Sequence, residues 1–296
     1  MAQAERMTPE STLQLWLDLR LDACGAQWLR ESVASLTGGG TDRDLFSRVS
    51  LVSRKLGKAP LALDATALAL ADQARPGWDP SRWTVDQAAR IRLLLASATD
   101  SDSFVRRLDQ LCATADLDEL VAFYQGLPLY PDPPRHRSRA AEGVRTNMRV
   151  VFEAVVHRNP YAAEQLPEDA WNQMVLKALF VGSSLAAIVS LDRRANATLA
   201  RMLSDYAHER WSAGRPVSPE LWRCAGQFAS GHCSQTLPAC STRAPRPSAP
   251  PRCWPCAVRP IPKPSACWLA TASCATLWRR VAPTGHRFSV SPNLQE

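Results

Sequence analysis

Residues 42–56 read Asp-Arg-Asp-Leu-Phe-Ser-Arg-Val-Ser-Leu-Val-Ser-Arg-Lys-Leu, and this stretch decides the fold class. Its Leu45, Val49, Val52 and Leu56 recur at intervals of three and four residues, the period of an amphipathic helix. An apolar stripe that follows Ser11 in the sequence has the same period. Further helical windows lie at about 64–75, 84–97, 101–114, 116–125, 138–157, 168–181, 196–213 and 218–228.

No window alternates cleanly enough to predict a β-strand. Gly, Pro or Asp residues separate the helical windows, and the connections are short. Consecutive helices should therefore be mostly antiparallel neighbours. We predict an all-α fold, a layered antiparallel helical domain. A helical-repeat arrangement stays open, since the sequence has no repeat of fixed period.

The positive charge of the chain is confined to its last part. The 296 residues include 35 Lys+Arg and 28 Asp+Glu, a formal net charge of +7. Residues 232–296 hold eight of these basic residues and a single acid, Glu296, so residues 1–231 have a net charge of zero. A neutral helical part gives no electrostatic reason to expect nucleic acid as a partner.

The segment 232–296 differs from the rest in other ways too. It contains six of the nine cysteines and 11 of the 23 prolines. The spacing Cys253-Trp254-Pro255-Cys256 suggests a redox site, but its proline-rich flanks cannot supply the strand and helix that such a site needs. This composition is typical of a GC-rich gene read out of frame, so we hypothesise a reading-frame shift. We predict a helical domain over residues 1–230 and a Pro/Cys/Arg-rich tail, disordered or out of frame, over 231–296.

The sequence predicts a cytoplasmic location. Residues 1–30 lack the basic start and uninterrupted apolar stretch of a secretory signal. The most apolar stretch, 174–191, is broken by Lys177 and by Gly182-Ser183-Ser184, which favours a buried core helix over a membrane span. Trp78 and Trp83 are expected to pack between helices.

Lys177 is a candidate functional residue because its helix has little polar surface. A lysine in such a helix snorkels to the surface, pairs with a carboxylate or lines a pocket. We expect a structural ion pair, and a ligand-facing role is the alternative. Asp205 and His208 have the i, i+3 spacing of a helical metal site, but no second Glu-x-x-His accompanies them. We therefore expect a solvated face there, and neither a metal nor a cofactor.

Arginines mark two further regions. Three of them precede or begin the helix predicted from about residue 138: Arg135, Arg137 and Arg139. Cations oppose the macrodipole at a helix N-terminus, so these arginines either bind an anionic ligand or belong to a solvated linker. Later charges in this helix are spaced to pair with one another without a ligand: Glu142, Arg145, Arg149 and Glu153.

The polar face of helix 42–56 carries basic side chains: Arg43, Arg48, Arg54 and Lys55. Such a face is either solvated or contacts a membrane or a partner protein.

Eight sequence words in order resemble the EboA family over about residues 10–229: SLVSRKLGK (50–58), RPGW (75–78), YQGLP (124–128), RAAEGVRTN (139–147), RNPY (158–161), AWNQM (170–174), LDRRAN (191–196) and DYAHERW (205–211). The resemblance implies a helical bacterial protein without an assigned catalytic activity. It implies a gene cluster that makes or exports a metabolite across the inner membrane and includes a membrane prenyltransferase-like protein. It also favours phosphate- or isoprenoid-facing roles for Arg54, Arg139, Arg145 and Lys177.

Two hypotheses follow. The first is an accessory or scaffold protein, cytoplasmic or peripheral to the inner membrane, that serves biosynthesis or export of a prenylated metabolite. It predicts that other proteins of the gene cluster are partners, including the membrane prenyltransferase-like protein. The alternative is an enzyme acting on a phosphorylated or isoprenoid substrate, and it predicts that Arg139, Arg145 and Lys177 converge on one pocket.

Overall fold

The computed structural model of the chain describes residues 7–228, and most of these residues lie in helices. The helices are α1 (Pro9–Arg20), α2 (Ala23–Thr37), α3 (Asp42–Leu56), α4 (Ala65–Ala74), α5 (Val85–Ala96), α6 (Ser101–Thr114), α7 (Leu117–Gln125), α8 (Arg137–Arg145), α9 (Arg149–Val156), α10 (Pro160–Gln165), α11 (Glu168–Phe180), α12 (Ala197–Ser212) and α13 (Leu221–Ala225). Within this part of the chain, β-structure is limited to isolated bridges. The predicted all-α fold is confirmed.

Local sequence signals set where the helices begin and end. At α3, the Thr41 hydroxyl accepts a hydrogen bond from the Asp44 amide, and the Asp44 carboxylate accepts one from the Thr41 amide. This reciprocal capping box satisfies amides that have no partner inside the helix. Gly57 ends α3 with a φ of +75°, a conformation that costs glycine little.

Helix α5 lies at the centre of the packing. It contacts α1, α2, α3 and α7, and α7 in turn contacts α9. The result is a row of neighbouring helices, in which α3 packs against α5, α5 against α7, and α7 against α9. Because α5 is surrounded, nine of its twelve side chains are buried.

A buried ion pair lies inside this central helix. Asp86 and Arg90 are each only 2% exposed, and their charged groups are 2.6 Å apart. The Asp86 carboxylate also accepts hydrogen bonds from the hydroxyls of Ser53 on α3 (3.2 Å) and Thr84 (2.5 Å). Arg90 donates a further bond to Ser53 at 2.8 Å and lies 3.8 Å from Glu119 on α7. The network thus connects three helices of the row.

The structure corrects the predicted helix 138–157, which is two helices with a break at residues 146–148. The Lys177 ammonium donates to the carbonyls of Val144 (2.5 Å) and Thr146 (2.7 Å), and the Thr146 hydroxyl accepts from the Met148 amide (3.2 Å). These contacts satisfy backbone groups that a continuous helix would have paired within itself.

Two helices were not predicted. Helix α2 begins at the Asp22 cap, whose carboxylate accepts from the Gly25 amide at 2.7 Å. Helix α10 begins with Pro160, because proline breaks a helix in its interior but is favoured at the first helical position. The proposed boundary near residue 230, the tail, its CxxC spacing and the reading-frame hypothesis lie outside the described residues and stay predictions.

We expect Asp86→Ala to destabilise the protein strongly, because it leaves the Arg90 charge buried without its carboxylate. Breaking such a buried pair costs about 3–5 kcal/mol. Chemical denaturation followed by circular dichroism measures this change. The control is Asp102→Ala, which removes a pair between Arg135 and an 81% exposed aspartate and should cost no more than about 1 kcal/mol. Equal losses in the two variants would contradict the central role of the buried pair.

Gly143 marks the closest approach of α8 to its neighbours. A Cβ atom at this position would lie 2.6 Å from Val155 Cγ2 and 2.7 Å from Tyr124 Cε1. We expect Gly143→Ala to destabilise the fold by about 1–3 kcal/mol through overpacking. The change in unfolding free energy tests this. Ser138→Ala, at an exposed position of the same helix, should be close to neutral, and a neutral Gly143→Ala would contradict the packing.

Candidate functional site

A polar pocket of about 160 Å³ opens between three segments of the described chain. The segment before α5 contributes one wall, the last residue of α7 contributes another, and α9 with the residues after it completes the lining. Its lining residues are Asp79, Arg82, Trp83, Gln125, Val150, Glu153, Ala154, His157, Arg158 and Asn159. The pocket thus combines opposite charges, an amide, an imidazole and an apolar floor.

Contacts between tryptophan rings hold in place the segment before α5, which forms one side of the pocket. The ring centroid of Trp78 lies 5.4 Å from that of Trp16 and 5.6 Å from that of Trp83. Trp78 and Trp83 are both buried, which confirms their prediction as packing residues between helices. The turn that leads into Trp78 uses Gly77 at a φ of +79°, and the Gly77 amide donates to Asp72 at 2.7 Å.

Arg158 and Asn159 form the part of the pocket lining that follows α9. Arg158 has a φ of +52°, which is uncommon for a residue with a side chain. The Asn159 amide group donates to the carbonyls of Tyr124 (3.1 Å) and Ala154 (3.0 Å), and its oxygen accepts from the Tyr161 amide (3.0 Å). Asn159 therefore joins α7, α9 and the start of α10, and this holds the turn in place.

Both carboxylates of the pocket already have partners. Asp79 accepts from the Ser81 amide at 3.0 Å and lies 3.4 Å from Arg158 Nε. Glu153 accepts from Arg149 at 2.8 Å and from the Ser183 hydroxyl at 2.7 Å. Burial alone would raise the pKa of Glu153, but these two hydrogen bonds hold it below its usual value.

Among the polar groups of the pocket that have no hydrogen-bond partner within residues 7–228, two bear on ligand binding. Arg82 is exposed, and its guanidinium forms neither a hydrogen bond nor an ion pair there. The side-chain oxygen of Gln125 is buried and unpaired. A buried acceptor without a donor costs roughly 1–3 kcal/mol, so such atoms are rare without a reason.

His157 is held by a small hydrogen-bond network. Its Nε2 lies 2.9 Å from the Ser184 carbonyl oxygen and 3.1 Å from the Ser183 hydroxyl. A carbonyl only accepts, so Nε2 carries the proton and Nδ1 is the acceptor of the neutral ring. Ser183 donates its own proton to Glu153, so this is not a serine activated by a histidine base. The network orients the imidazole at the pocket.

None of the four predicted ligand residues lines this pocket. Arg139 lies on α8 and binds Asp109 of α6 at 2.6 Å and Glu142 at 2.7 Å. Arg145 ends α8, and Arg54 lies near the end of α3; both are exposed, with no ion pair in the described part of the chain. The ligand-binding role of these residues stays a prediction.

Lys177 pairs differently from our expectation of a structural ion pair. Its ammonium binds the carbonyls of Val144 and Thr146 and lies 5.3 Å above the Phe152 ring, and no carboxylate of residues 7–228 is paired with it. The ion pair was wrong because the carboxyl end of a helix offers a lysine the same partial negative charge. Burial lowers the pKa of Lys177.

The predicted ladder of charges from 142 to 153 is also only partly formed. Arg149 binds Glu153, whereas Glu142 binds Arg139, and Arg145 has no partner in the described residues. The three arginines at the start of α8 have partners within the protein. Arg135 pairs with Asp102, Arg139 pairs with Asp109, and Arg137 donates a hydrogen bond to Gln165.

The sequence contained the pocket residues without marking them as a site. Gln125 and Arg158 lie in words that carry the family resemblance, and Glu153 was assigned to the ladder. His157 precedes one of these words. One feature of the sequence could have indicated the pocket: several of the stretches that resemble the family place polar residues next to Gly or Pro turns.

An exposed apolar patch adjoins the pocket. We define it by Met148 (46% exposed), Val150 (49%) and Phe180 (77%). Phe180 lies in the segment between Lys177, which binds the carbonyls of Val144 and Thr146, and Ser183, which binds Glu153. From these two anchors we infer that Phe180 lies on the same part of the surface as the start of α9. Val150 belongs to both patch and pocket.

Fold and site together define an all-helical protein with a small polar pocket. A family model described as "Metabolite traffic protein EboA" matches residues 10–226. The chain therefore belongs to the EboA family. Searches of curated proteins and of solved structures found no significant match.

Two further properties of the described residues bear on function. In residues 7–228, no three His, Cys, Asp or Glu side chains are grouped so that they could hold a metal ion. None of the helices described is both long and apolar enough to span a bilayer. The stretch 174–191 is instead the second half of α11, mostly buried up to the exposed Phe180, followed by turns.

We expect the pKa of His157 to lie below 6.5, because burial disfavours its charged form more than Glu153 favours it. The unfolded chain then binds a proton more readily, so stability falls as the pH drops below 6.5. NMR titration of the ring protons, assigned with His157→Gln, measures the pKa directly.

The stability of His157→Gln should fall less than that of the wild type between about pH 7 and pH 5. Burial also lowers the pKa of His136, which remains in both proteins and serves as an internal reference. A His157 pKa at or above 6.5, or equal pH dependence of the two proteins, would contradict the half-buried neutral imidazole.

Proposed function

We propose that this member of the EboA family is an accessory protein in the biosynthesis or export of a prenylated metabolite. In this proposal the protein is cytoplasmic and binds peripherally to the inner membrane. Its partners are other proteins of the same gene cluster, including a membrane prenyltransferase-like protein. Support comes from the family's description as a metabolite traffic protein and from one surface feature, the apolar patch.

The apolar patch carries the membrane part of the proposal. Large apolar side chains that are exposed together indicate an interaction surface. Arg145 and Arg149 flank the patch, and Glu153, the acid beside it, is already bound by Arg149 and Ser183. Apolar side chains bordered by arginines complement anionic lipid, since the former enter the interface and the latter bind headgroups. We therefore assign the patch to an anionic lipid surface.

The enzyme alternative has less support. It required Arg139, Arg145 and Lys177 to meet at one pocket, but none of them lines the pocket described above. Arg139 and Lys177 are engaged by Asp109 and by backbone carbonyls. An accessory role needs no such convergence.

We expect Phe180→Asp to weaken binding of the full chain to phosphatidylglycerol-containing vesicles by about tenfold or more. Burying a phenylalanine contributes about 1.5–3 kcal/mol, and the new carboxylate also repels anionic headgroups. Vesicle flotation measures the bound fraction. The matched control is Leu19→Asp on α1, where the leucine is 74% exposed, and it should leave binding unchanged.

Arg145→Ala should weaken the same binding by roughly fivefold, and added salt should reduce it further. Loss of binding in both aspartate variants, or no vesicle binding by the wild type, would overturn the assignment to lipid. A pull-down of the full chain with its neighbouring gene products tests the accessory role. Recovery of the membrane partner supports it, and failure to recover any of these proteins contradicts it.

A further inference from the structure

We propose that the pocket binds a small anion that carries hydroxyl groups, a hydroxycarboxylate or a phosphate monoester. Arg82 and Arg158 would hold the anionic group, and Gln125 and His157 would accept hydrogen bonds from the hydroxyls. This goes beyond the accessory role proposed above and does not depend on membrane binding, since the pocket and the apolar patch share only Val150.

The anionic group follows from unused guanidinium donors. Arg82 has no partner within residues 7–228, and Arg158 uses only Nε, at 3.4 Å from Asp79. Asp79 engages only Nε of Arg158 and also accepts from the Ser81 amide, whereas Glu153 is bound by Arg149 and Ser183. The two terminal nitrogens of Arg158 therefore keep their donors within residues 7–228. Guanidinium groups with free donors bind carboxylates and phosphates through paired hydrogen bonds.

The hydroxyl groups follow from unused acceptors. The Gln125 side-chain oxygen is buried without a donor. The neutral ring of His157 offers Nδ1, because Nε2 donates to Ser184. The Gln125 oxygen has no donor within the described residues, and His157 Nδ1 is available as a second acceptor. A simple carboxylate or phosphate dianion has no donor for either atom. A hydroxyl donates to such acceptors, so a hydroxylated anion matches both halves of the lining.

The size and floor of the pocket limit the rest of the ligand. An apolar cavity of about 150 Å³ accommodates benzene, so 160 Å³ suits roughly six to ten non-hydrogen atoms. Trp83, Val150 and Ala154 provide apolar contacts for a short carbon chain. These limits favour three- to four-carbon compounds over nucleotides and over intact isoprenoid chains.

Isothermal titration calorimetry of the full chain tests the proposal. The probes are glycerol 3-phosphate and glycerate, which distinguish a phosphate from a carboxylate. Propyl phosphate and propionate lack the hydroxyls, and glycerol lacks the anion. At least one hydroxylated anion should bind about tenfold more tightly than its counterpart without hydroxyls, and glycerol should not bind measurably.

Two variants assign the roles. Arg82→Ala, at an exposed position, should weaken the preferred probe by about tenfold, whereas Arg201→Ala, an exposed arginine on α12, should leave its affinity within about twofold. Gln125→Met should remove much of the preference for the hydroxylated probe without lowering the unfolding free energy, because it removes an acceptor that is unpaired in the free protein.

The proposal is overturned if neither hydroxylated anion binds at millimolar concentration. It is also overturned if the hydroxylated and plain anions bind equally, or if Arg82→Ala binds like the wild type. These outcomes are independent of vesicle flotation and of the pull-down, so failure here is distinguishable from failure of the proposed function.

Discussion

The ion pair between Asp86 and Arg90 places two charges in a helix that four other helices surround. Charges removed from water must be matched by fixed partners, and here the partners come from the helices on either side: Ser53 on α3 and Glu119 on α7. The pair therefore sets how these three helices lie against each other. Because the segment leading into α5 supplies one pocket wall and the end of α7 supplies another, the site depends on it as well.

The remaining wall is built from side chain to backbone contacts. Asn159 binds the carbonyls of Tyr124 and Ala154, and Lys177 binds the carbonyls at the end of α8. In both cases a polar side chain occupies backbone acceptors that would otherwise lack donors where a helix stops. Helices α8 and α9 thus remain separate elements, and α9 with the residues after it lines the pocket.

Sequence reasoning predicted the elements whose signals are local. The stripe from Leu45 to Leu56 fixes α3, and the helical window predicted at 196–213 corresponds to α12. It could not predict partners distant in the chain, such as Asp109 for Arg139, because 30 residues separate them and the sequence offers several equivalent acids. The pocket draws on three separate stretches of the chain, residues 79–83, 125 and 150–159, each ordinary on its own. Only the packing of α5, α7 and α9 brings them together.

At Arg158, whose backbone is left-handed, the lowest backbone strain and the presence of a guanidinium group at the pocket require different residues. A residue with a Cβ atom in that region is strained by about 1–3 kcal/mol, and glycine would relieve much of this strain. Glycine would also delete one of the two guanidinium groups at the pocket. A screen that rewards only thermal stability should therefore favour glycine at position 158, whereas a screen that rewards pocket occupancy should retain arginine. The residue recovered at position 158 would then show whether stability or ligand binding is the stronger constraint on this turn.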